Sequence, residues 1–391
     1  MKKAVSRRDF IKGAAVVAAS AVLAGCDESE IPSDSQYPSS SSETPGSSIS
    51  SSSSSSSTSD SSSSSNSSSS SSSSDSSKPE QSSIIWSIGT LKNGYAEISG
   101  YDNMNGAKPS GKVTIPQEIA GRTIISIGFQ ALSNCKELTE VVLPNTIIRI
   151  NEGAFSGCTK LKSINWPTQL KWIKTNAFLE TALENITIPP NVKEIGGNAF
   201  MKSQLKKVRF EGNPTLDARV FGDCKYLTDI VLPKKIRSTA SWLSETAIPT
   251  SLFSGCISLK NITIPESATE IGGAAFEGCT SLESVVIESK TMYRIGKSAF
   301  SQCSSLKKVV IPEGVGGIAF NTFIGDKRLE KVYIPETVKE ISAYAFHNCN
   351  KLMDVYYGGT KEQWWNVTIA SNNGGLSNAT IHYGASTTDV G

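Results

Sequence analysis

A repeat of about 23 residues runs through most of the chain, and it constrains the fold more than any other feature of the sequence. A large apolar residue, usually the Phe of an Ala-Phe pair, recurs at intervals of 23, 23, 22, 21, 32, 23, 24, 23 and 23 residues. The ten anchor residues of the repeat are Leu132, Phe155, Phe178, Phe200, Phe221, Phe253, Phe276, Phe300, Phe323 and Phe346. Because one such unit is too short to bury its own apolar face, the units must stack on one another.

Each repeat also carries a short strand pattern. Relative to the anchor, an Ile lies five residues before, a Cys three after and a Leu six after, and a Val-x-Ile pair follows, as in 271–287. The Leu-x-x-Val-x-Ile segment alternates like a strand with one buried face, and a Pro often ends it. A second extended piece, such as 192–195, returns on the other side of the coil. The sequence therefore predicts a β-rich solenoid, a right-handed stack of about ten coils of about 23 residues.

The repeat resembles that of a known family. Its anchors, Cys positions and Val-x-Ile-Pro endings resemble the bacterial BspA-like leucine-rich-repeat family, of the leucine-rich repeat 5 type, over about 95–384. The resemblance implies an N-terminal cap at 84–127, repeats at 128–353 and a C-terminal closing unit at 354–391. Caps are needed because an open stack would expose its core and unpaired strand edges. The resemblance also implies a cell-surface protein that adheres to host extracellular proteins or to other bacteria.

The N-terminus is predicted to be a targeting segment. Residues 6–12, SRRDFIK, resemble a twin-arginine export signal, and a short apolar stretch follows them. That stretch ends at 23–26, LAGC, which resembles the lipobox of bacterial lipoproteins, in which the Cys takes the lipid. Residues 1–26 are therefore expected to be a signal peptide, with Cys26 lipidated and the protein anchored to the envelope surface. An uncleaved anchor helix or a plain secretory signal is the alternative.

The segment 27–83 is predicted to be a disordered linker. Of the 51 residues from 33 to 83, 34 are Ser, so the segment has almost nothing to bury. As a flexible coil it would have a root-mean-square reach of roughly 40 Å, enough to hold a domain clear of the envelope. The alternative is a tract of repeated Ser codons with little consequence for function.

The charge distribution argues against a nucleic-acid partner. Residues 1–26 carry a net charge of +4, residues 27–83 carry −7, and the remaining 308 residues carry +5. A nucleic-acid binder would concentrate many more Lys and Arg residues on one face. No apolar run reaches the roughly 18 residues that span a bilayer, so the membrane is expected to be contacted through the lipid alone.

The cysteines are predicted to be buried free thiols. Apart from Cys26, all seven lie three residues after an anchor, a position that faces the core: Cys135, Cys158, Cys224, Cys256, Cys279, Cys303 and Cys349. Stacked coils would hold them about 4.8 Å apart, farther than the roughly 3.8 Å between the Cβ atoms of a disulfide. No C-x-x-C pair is present, so no metal site is expected. Surface cysteines that crosslink after export are the alternative.

Catalysis is not indicated by the sequence. The chain has two His residues, His347 and His382, and neither has a Cys, Ser or acidic neighbour at the spacing of a catalytic motif. The segment 296–298, GKS, resembles the end of a phosphate loop, but the first Gly of that motif would have to stand where Thr291 is. We therefore expect no catalytic residue and no cofactor.

The outward-pointing residues of the strands are the candidate binding residues. In Leu-x-x-Val-x-Ile, the residue between the last two apolar positions points outward on the sheet expected to be concave. Most of this column is small or β-branched, but Tyr333 and Tyr356 lie at its C-terminal end. Lys308 and Lys331 lie beside them, in the column two residues earlier. Tyr combined with basic residues is typical of binding hot spots, although strands also favour Tyr on propensity alone.

One irregular coil supplies a further candidate. The step from Phe221 to Phe253 is nine residues longer than usual, and the extra residues include Trp242, which has no place in the repeat. Loops beside a binding face often carry contacts, so Trp242 is a candidate ligand-binding residue. The alternative is that its ring covers the irregular coil.

The function predicted from these features is protein binding at the cell surface, with adhesion to host extracellular proteins or to other cells as its purpose. Two alternatives stay open, a surface lipoprotein that binds a glycan or nutrient and a passive spacer in the envelope.

Overall fold

The chain forms two sets of parallel strands. The Val-x-Ile segments form the set with the longer strands, which we call the long-strand face. Its twelve strands are β3 (Gly111–Thr114), β6 (Leu138–Val142), β8 (Ser163–Ile164), β10 (Asn185–Ile188), β12 (Lys207–Phe210), β14 (Asp229–Ile230), β16 (Asn261–Ile264), β18 (Ser284–Ile287), β20 (Lys308–Val310), β22 (Lys331–Ile334), β24 (Asp354–Tyr357) and β26 (Thr380–Tyr383). Neighbours pair in parallel without slippage over most of the face, as β22 does with β24 and β24 with β26.

The second extended pieces form the opposite side of each coil, which we call the short-strand face. Its strands are β2 (Ala96–Tyr101), β5 (Arg122–Ile127), β7 (Arg149–Ile150), β9 (Trp172–Ile173), β11 (Glu194–Ile195), β13 (Thr215–Leu216), β15 (Ala247–Ile248), β17 (Glu270–Ile271), β19 (Arg294–Ile295), β21 (Gly317–Ile318), β23 (Glu340–Ile341) and β25 (Thr368–Ile369). Most are two residues long because the chain must turn at once into the Ala-Phe corner.

This computed structural model describes residues 84–102, 108–241 and 243–391. The predicted signal peptide with Cys26, the predicted linker and Trp242 lie outside the described residues. The described part is a leucine-rich-repeat β-solenoid of about 12 turns, so the predicted fold is confirmed. The turns number more than ten because the two end units each add strands to both faces.

The ends of the stack are covered by strands and short helices. At the N-terminal end, β1 (Trp86–Thr90) pairs antiparallel with β2, and β4 (Glu118–Ile119) pairs antiparallel with β5. At the C-terminal end, α1 (Lys361–Trp365) begins at the capping box of Thr360, and α2 (Gly374–Ser377) precedes β26. The α1 side chain of Trp364 packs on Tyr357, with 5.0 Å between ring centroids. Among the described residues no helix is long and apolar enough to cross a membrane.

A ladder of nine stacked phenylalanines forms the centre of the core. From Phe155 to Phe346 each anchor ring is fully buried. Consecutive ring centroids are 5.3 to 5.9 Å apart, and the ring planes lie within 20° of one another. The long coil does not break this ladder, since Phe221 and Phe253 are still 5.8 Å apart. Strand pairing is interrupted beside the long coil, between β13 and β15 and between β14 and β16, and also between β8 and β10, β18 and β20, and β19 and β21.

The cysteines form a second column beside the phenylalanines. All seven described cysteines are buried and free, which confirms the predicted thiol column. From Cys158 onward each thiol donates a hydrogen bond to the anchor carbonyl of the preceding coil, at 3.1 or 3.2 Å. Burial raises the pKa of Cys224 and of Cys279 to about 12, so these thiols stay protonated. These six hydrogen bonds therefore tie a coil to the one before it.

Candidate functional site

The long-strand face presents two outward residues per coil because strand side chains alternate. In β16, Ile262 and Ile264 are buried while Asn261 and Thr263 are exposed, and β10 has the same alternation. The register keeps equivalent residues of neighbouring coils side by side. Outward residues therefore form columns within each run of paired strands, β3 to β8, β10 to β14, β16 to β18 and β20 to β26.

The middle coils carry the accessible part of these columns, which we call the middle patch. It consists of Thr187, Lys207, Arg209, Asp229, Val231, Thr263 and Val286. The side chains of Val231 and Val286 are 56% and 51% exposed, a high value for apolar residues on a sheet. Charged neighbours lie beside Val231, where Arg209 donates a hydrogen bond to the Asp229 carboxylate at 2.5 Å. That hydrogen bond lowers the pKa of Asp229, so the pair stays charged.

The predicted Tyr and Lys residues come together at the C-terminal end of the same face. Lys308 pairs in register with Lys331, and Tyr333 with Tyr356. We call Lys308, Lys331 and Tyr356 the C-terminal patch. Lys308 is exposed, whereas Lys331 and Tyr356 are half-buried. The Lys331 ammonium lies 5.9 Å from the centre of the Tyr356 ring, on its face.

The prediction that Tyr333 is an exposed contact is wrong. Its side chain is 4% exposed, and its hydroxyl donates a hydrogen bond to Glu313 at 2.5 Å. Burial, together with the Glu313 carboxylate, raises the pKa of Tyr333. The ring has room to lie flat because the next coil has Gly358 there, where an added Cβ would come 2.6 Å from the Tyr333 hydroxyl. Tyr333 therefore packs within the sheet surface and does not project from it.

Tyr356 is also engaged by its neighbour in the closing unit. His382 of β26 stacks on it with 4.8 Å between ring centroids, and the His382 Nε2 lies 2.8 Å from Asp354 Oδ1. Both contacts of His382 orient side chains on the sheet, as expected for a structural histidine. Among the described residues no group of three or more His, Cys, Asp or Glu side chains could hold a metal ion.

The end of the chain folds back over the C-terminal patch. A short 3₁₀ helix (Thr387–Val390) contacts β20, β22 and β24. Its start is fixed by a capping box, in which the Ser386 amide donates a hydrogen bond to Asp389 at 2.6 Å. Val390 is only 2% exposed, and it borders a shallow depression that Lys308 and Lys331 also line. The repeat pattern does not predict this covering segment. Because of it, the middle patch is the more accessible part of the long-strand face.

Comparison with known proteins places the repeats in a family. The sequence profile of the BspA type leucine rich repeat region matches residues 125–243 and 242–353, more than half of the chain, in 6 copies. The profile of the TAT (twin-arginine translocation) pathway signal sequence matches residues 4–24. No curated protein sequence matches the chain significantly.

Several solved structures are similar to the chain. A leucine-rich repeat protein from Bacteroides ovatus is 28% identical with a TM-score of 0.61, and the match covers 70% of this chain and 69% of that one. A leucine rich cell surface protein from Faecalibacterium prausnitzii is 21% identical with a TM-score of 0.32, over 73% of this chain and 96% of that one. The pneumococcal vaccine antigen PcpA is 17% identical with a TM-score of 0.46, over 80% and 88%.

Proposed function

Because the chain belongs to the family of bacterial proteins with BspA-type leucine-rich repeats, we propose that it binds another protein outside the cytoplasm through its long-strand face. Its twin-arginine signal directs export, and leucine-rich-repeat folds commonly serve as scaffolds for protein interaction rather than as enzymes. The observation that carries the proposal is the middle patch, where Val231 and Val286 are exposed on the long-strand face and Val231 directly follows the strand whose Asp229 forms an ion pair with Arg209.

The shape and composition of this surface suit a protein partner. Strands in a sheet are about 4.8 Å apart, so twelve of them extend over roughly 50 Å, the width of a protein domain. Protein interfaces combine an apolar centre with a polar rim. Val231 and Val286 supply the apolar centre, and Lys207, Arg209 and Asp229 supply charged groups at its edge.

The finer proposal is that the partner is an extracellular host protein or a protein on another cell, so that the function is adhesion. The C-terminal patch of Lys308, Lys331 and Tyr356 is proposed as an additional contact at the edge of the segment that covers it. Trp242 is proposed as a contact on the neighbouring long coil. A glycan or nutrient ligand, or a role as a passive spacer, is the competing function.

We predict that replacing both Val231 and Val286 by Glu weakens binding of the partner by at least about 1–2 kcal/mol. The two carboxylates would be buried unpaired in the interface, whereas in the free protein they stay in water, so stability should change by less than about 0.5 kcal/mol. The measurement is surface binding of the purified protein to a panel of extracellular matrix proteins and to a glycan array.

The matched control replaces two other exposed apolar residues, Tyr226 and Ile257, by Glu. They are 57% and 42% exposed and lie outside the outward columns, so this pair should bind like the wild type. Equal loss in both pairs would show that added negative charge is responsible and not the middle patch. Hits on the glycan array alone would favour the competing glycan function, and no hits on either panel would favour the spacer.

Anchoring is a separate proposal, since Cys26 lies two residues after the end of the matched export signal. We predict that Cys26→Ala abolishes incorporation of a radiolabelled fatty acid and releases the exported protein from the membrane fraction, because two or more acyl chains are needed for stable attachment. Ser29→Ala, three residues away, should be labelled and retained like the wild type. Undiminished labelling of Cys26→Ala would show that the lipid is attached elsewhere.

A further inference from the structure

The last coil of the solenoid has two strands whose outer edges are unpaired. β25 ends the short-strand face and β26 ends the long-strand face, and among the described residues no strand pairs with either on its outer side. Backbone hydrogen bonds of this coil run back to the preceding coil, as from the Thr368 amide to the Lys339 carbonyl at 2.9 Å and from the Thr380 amide to the Met353 carbonyl at 2.7 Å. The closing unit therefore completes the core of the stack but exposes two strand edges of its own.

The edge strands at the N-terminal end are irregular by contrast. β1 is the edge strand of the short-strand sheet there, and its pairing with β2 shifts register between Ser87 and Ile88. β3 is the edge strand of the long-strand face, with a register shift between Gly111 and Lys112, and Lys112 adds a charge. Bulges and charged side chains are features by which edge strands avoid pairing with other chains. The pairings of β25 with β23 and of β26 with β24 have no such shift, so the C-terminal edges are the regular ones.

The C-terminal edges also lack charged residues. No Asp, Glu, Lys or Arg occurs from 366 to 388, a stretch that includes both edge strands. The histidine of this stretch, His382, already has a polar partner, because its Nε2 lies 2.8 Å from the Asp354 Oδ1. Regular strand edges without charged side chains favour pairing with a further strand.

Exposed apolar side chains lie next to these edges. Ile369 of β25 is 42% exposed, Tyr383 of β26 is 38% exposed, and Trp365, which ends α1 just before β25, is 70% exposed. Tyr and Trp are enriched at the centres of protein interfaces. The 3₁₀ helix (Thr387–Val390) contacts β20, β22 and β24, which lie on the other side of β26 from its outer edge. The end of the chain therefore does not cover that edge.

A second copy of the chain fits both edges at once. A single two-fold axis that runs from the long-strand face to the short-strand face would bring β26 antiparallel to its own copy and β25 antiparallel to its own copy. In such a contact each residue near the axis faces the same residue of the other copy, so a charged residue there would repel itself. The absence of charged residues from 366 to 388 removes this repulsion and makes the edges compatible with themselves.

We propose that two copies of the chain associate end to end through the outer edges of β25 and β26, with Trp365, Ile369 and Tyr383 flanking the contact. The two-fold axis would place the long-strand faces of both copies on the same side of the dimer. The dimer would thus present two middle patches to one surface, and two linked patches bind a surface with many partner molecules more tightly than one. Association of the two copies does not require the partner protein, so it can be tested independently of the proposed function.

The test is the mass of the chain in solution, measured by sedimentation equilibrium at concentrations up to about 100 μM. The full chain is used with Cys26→Ala, so that no attached lipid contributes to association. Its mass should rise with concentration from the 41.6 kDa of one chain toward twice that value. Adding Ile369→Lys and Tyr383→Lys brings like charges of the two copies together, so the dissociation constant should rise by at least about ten-fold. Both side chains are exposed, so the melting temperature should stay nearly unchanged.

The matched control adds Tyr226→Lys and Ile257→Lys instead, which changes the same residue types and the same charge at exposed positions outside the last coil. It should associate like the parent chain. Trp365→Lys tests the contact without altering either edge strand, and it should also weaken association. The proposal is overturned if the mass stays that of one chain at about 100 μM, if both Lys pairs weaken association equally, or if the mass rises beyond two chains, as head-to-tail stacking would require.

Discussion

Replacing Phe276 by Ala is expected to lower the free energy of unfolding by about 3–5 kcal/mol. The ring is fully buried and lies between two others, 5.5 Å from Phe253 and 5.3 Å from Phe300 by ring centroids. Its removal takes away both stacking contacts and leaves a cavity between coils that the flanking strands hold in place. The loss is large because each coil is stable only against its neighbours.

The measurement is equilibrium unfolding in denaturant, followed by circular dichroism. Cys279→Ala is the control on the same coil, since it removes one sulfur and the hydrogen bond to the Phe253 carbonyl at 3.2 Å. We expect the control to lose much less stability than Phe276→Ala. A loss for Phe276→Ala that is no greater than for Cys279→Ala would mean that the ladder relaxes to fill the space.

The fold could be predicted from the sequence because its information is repeated. Ten anchors in register define the length of one coil, and every coil repeats the same pattern of buried positions. The anchor Phe residues and the seven cysteines are all buried, as their positions predict. The same repetition predicted that outward residues form columns along the long-strand face.

The candidate site was predicted less well, because its features depend on contacts that do not repeat. The column rule placed Tyr333 in register with Tyr356, but the Tyr333 side chain packs against Gly358 and donates a hydrogen bond to Glu313. The rule also says nothing about residues beyond the last coil, and the segment with Val390 covers the C-terminal patch.

One coil departs from the repeat at a buried position of the cysteine column. Three residues after Phe323, where most coils have Cys, the sequence has Asp326. This carboxyl group is fully buried, and neither oxygen has a hydrogen-bond partner among the described residues. Its neighbours in the column, Cys303 and Cys349, donate to anchor carbonyls. By the same register Asp326 should meet the Phe300 carbonyl, to which an ionised carboxylate has no proton to donate.

Asp326 is therefore expected to make the protein less stable as the pH rises. Burial raises the pKa of Asp326 well above its ordinary value. Below the pKa of Asp in the unfolded chain, near 4, the carboxyl group is protonated in both states and its ionisation costs no stability. Above that pH the free energy of unfolding falls by about 1.4 kcal/mol per pH unit, until the pH reaches the higher pKa of the folded state. The fold therefore favours the protonated form of this carboxyl group.

We predict that Asp326→Cys raises the free energy of unfolding by about 1–3 kcal/mol at pH 8, because it replaces a poorly satisfied buried acid by the group that the column already uses. The gain should be smaller at pH 5, where the acid is closer to its unfolded pKa. Asp326→Asn, which has the same shape and does not titrate, should remove the same part of the pH dependence. The other ionisable groups are common to all three proteins, so the difference between variant and wild type isolates Asp326. Denaturant unfolding of the three proteins at both pH values is the measurement, and an equal gain at pH 5 and pH 8 would show that Asp326 is not the titrating group.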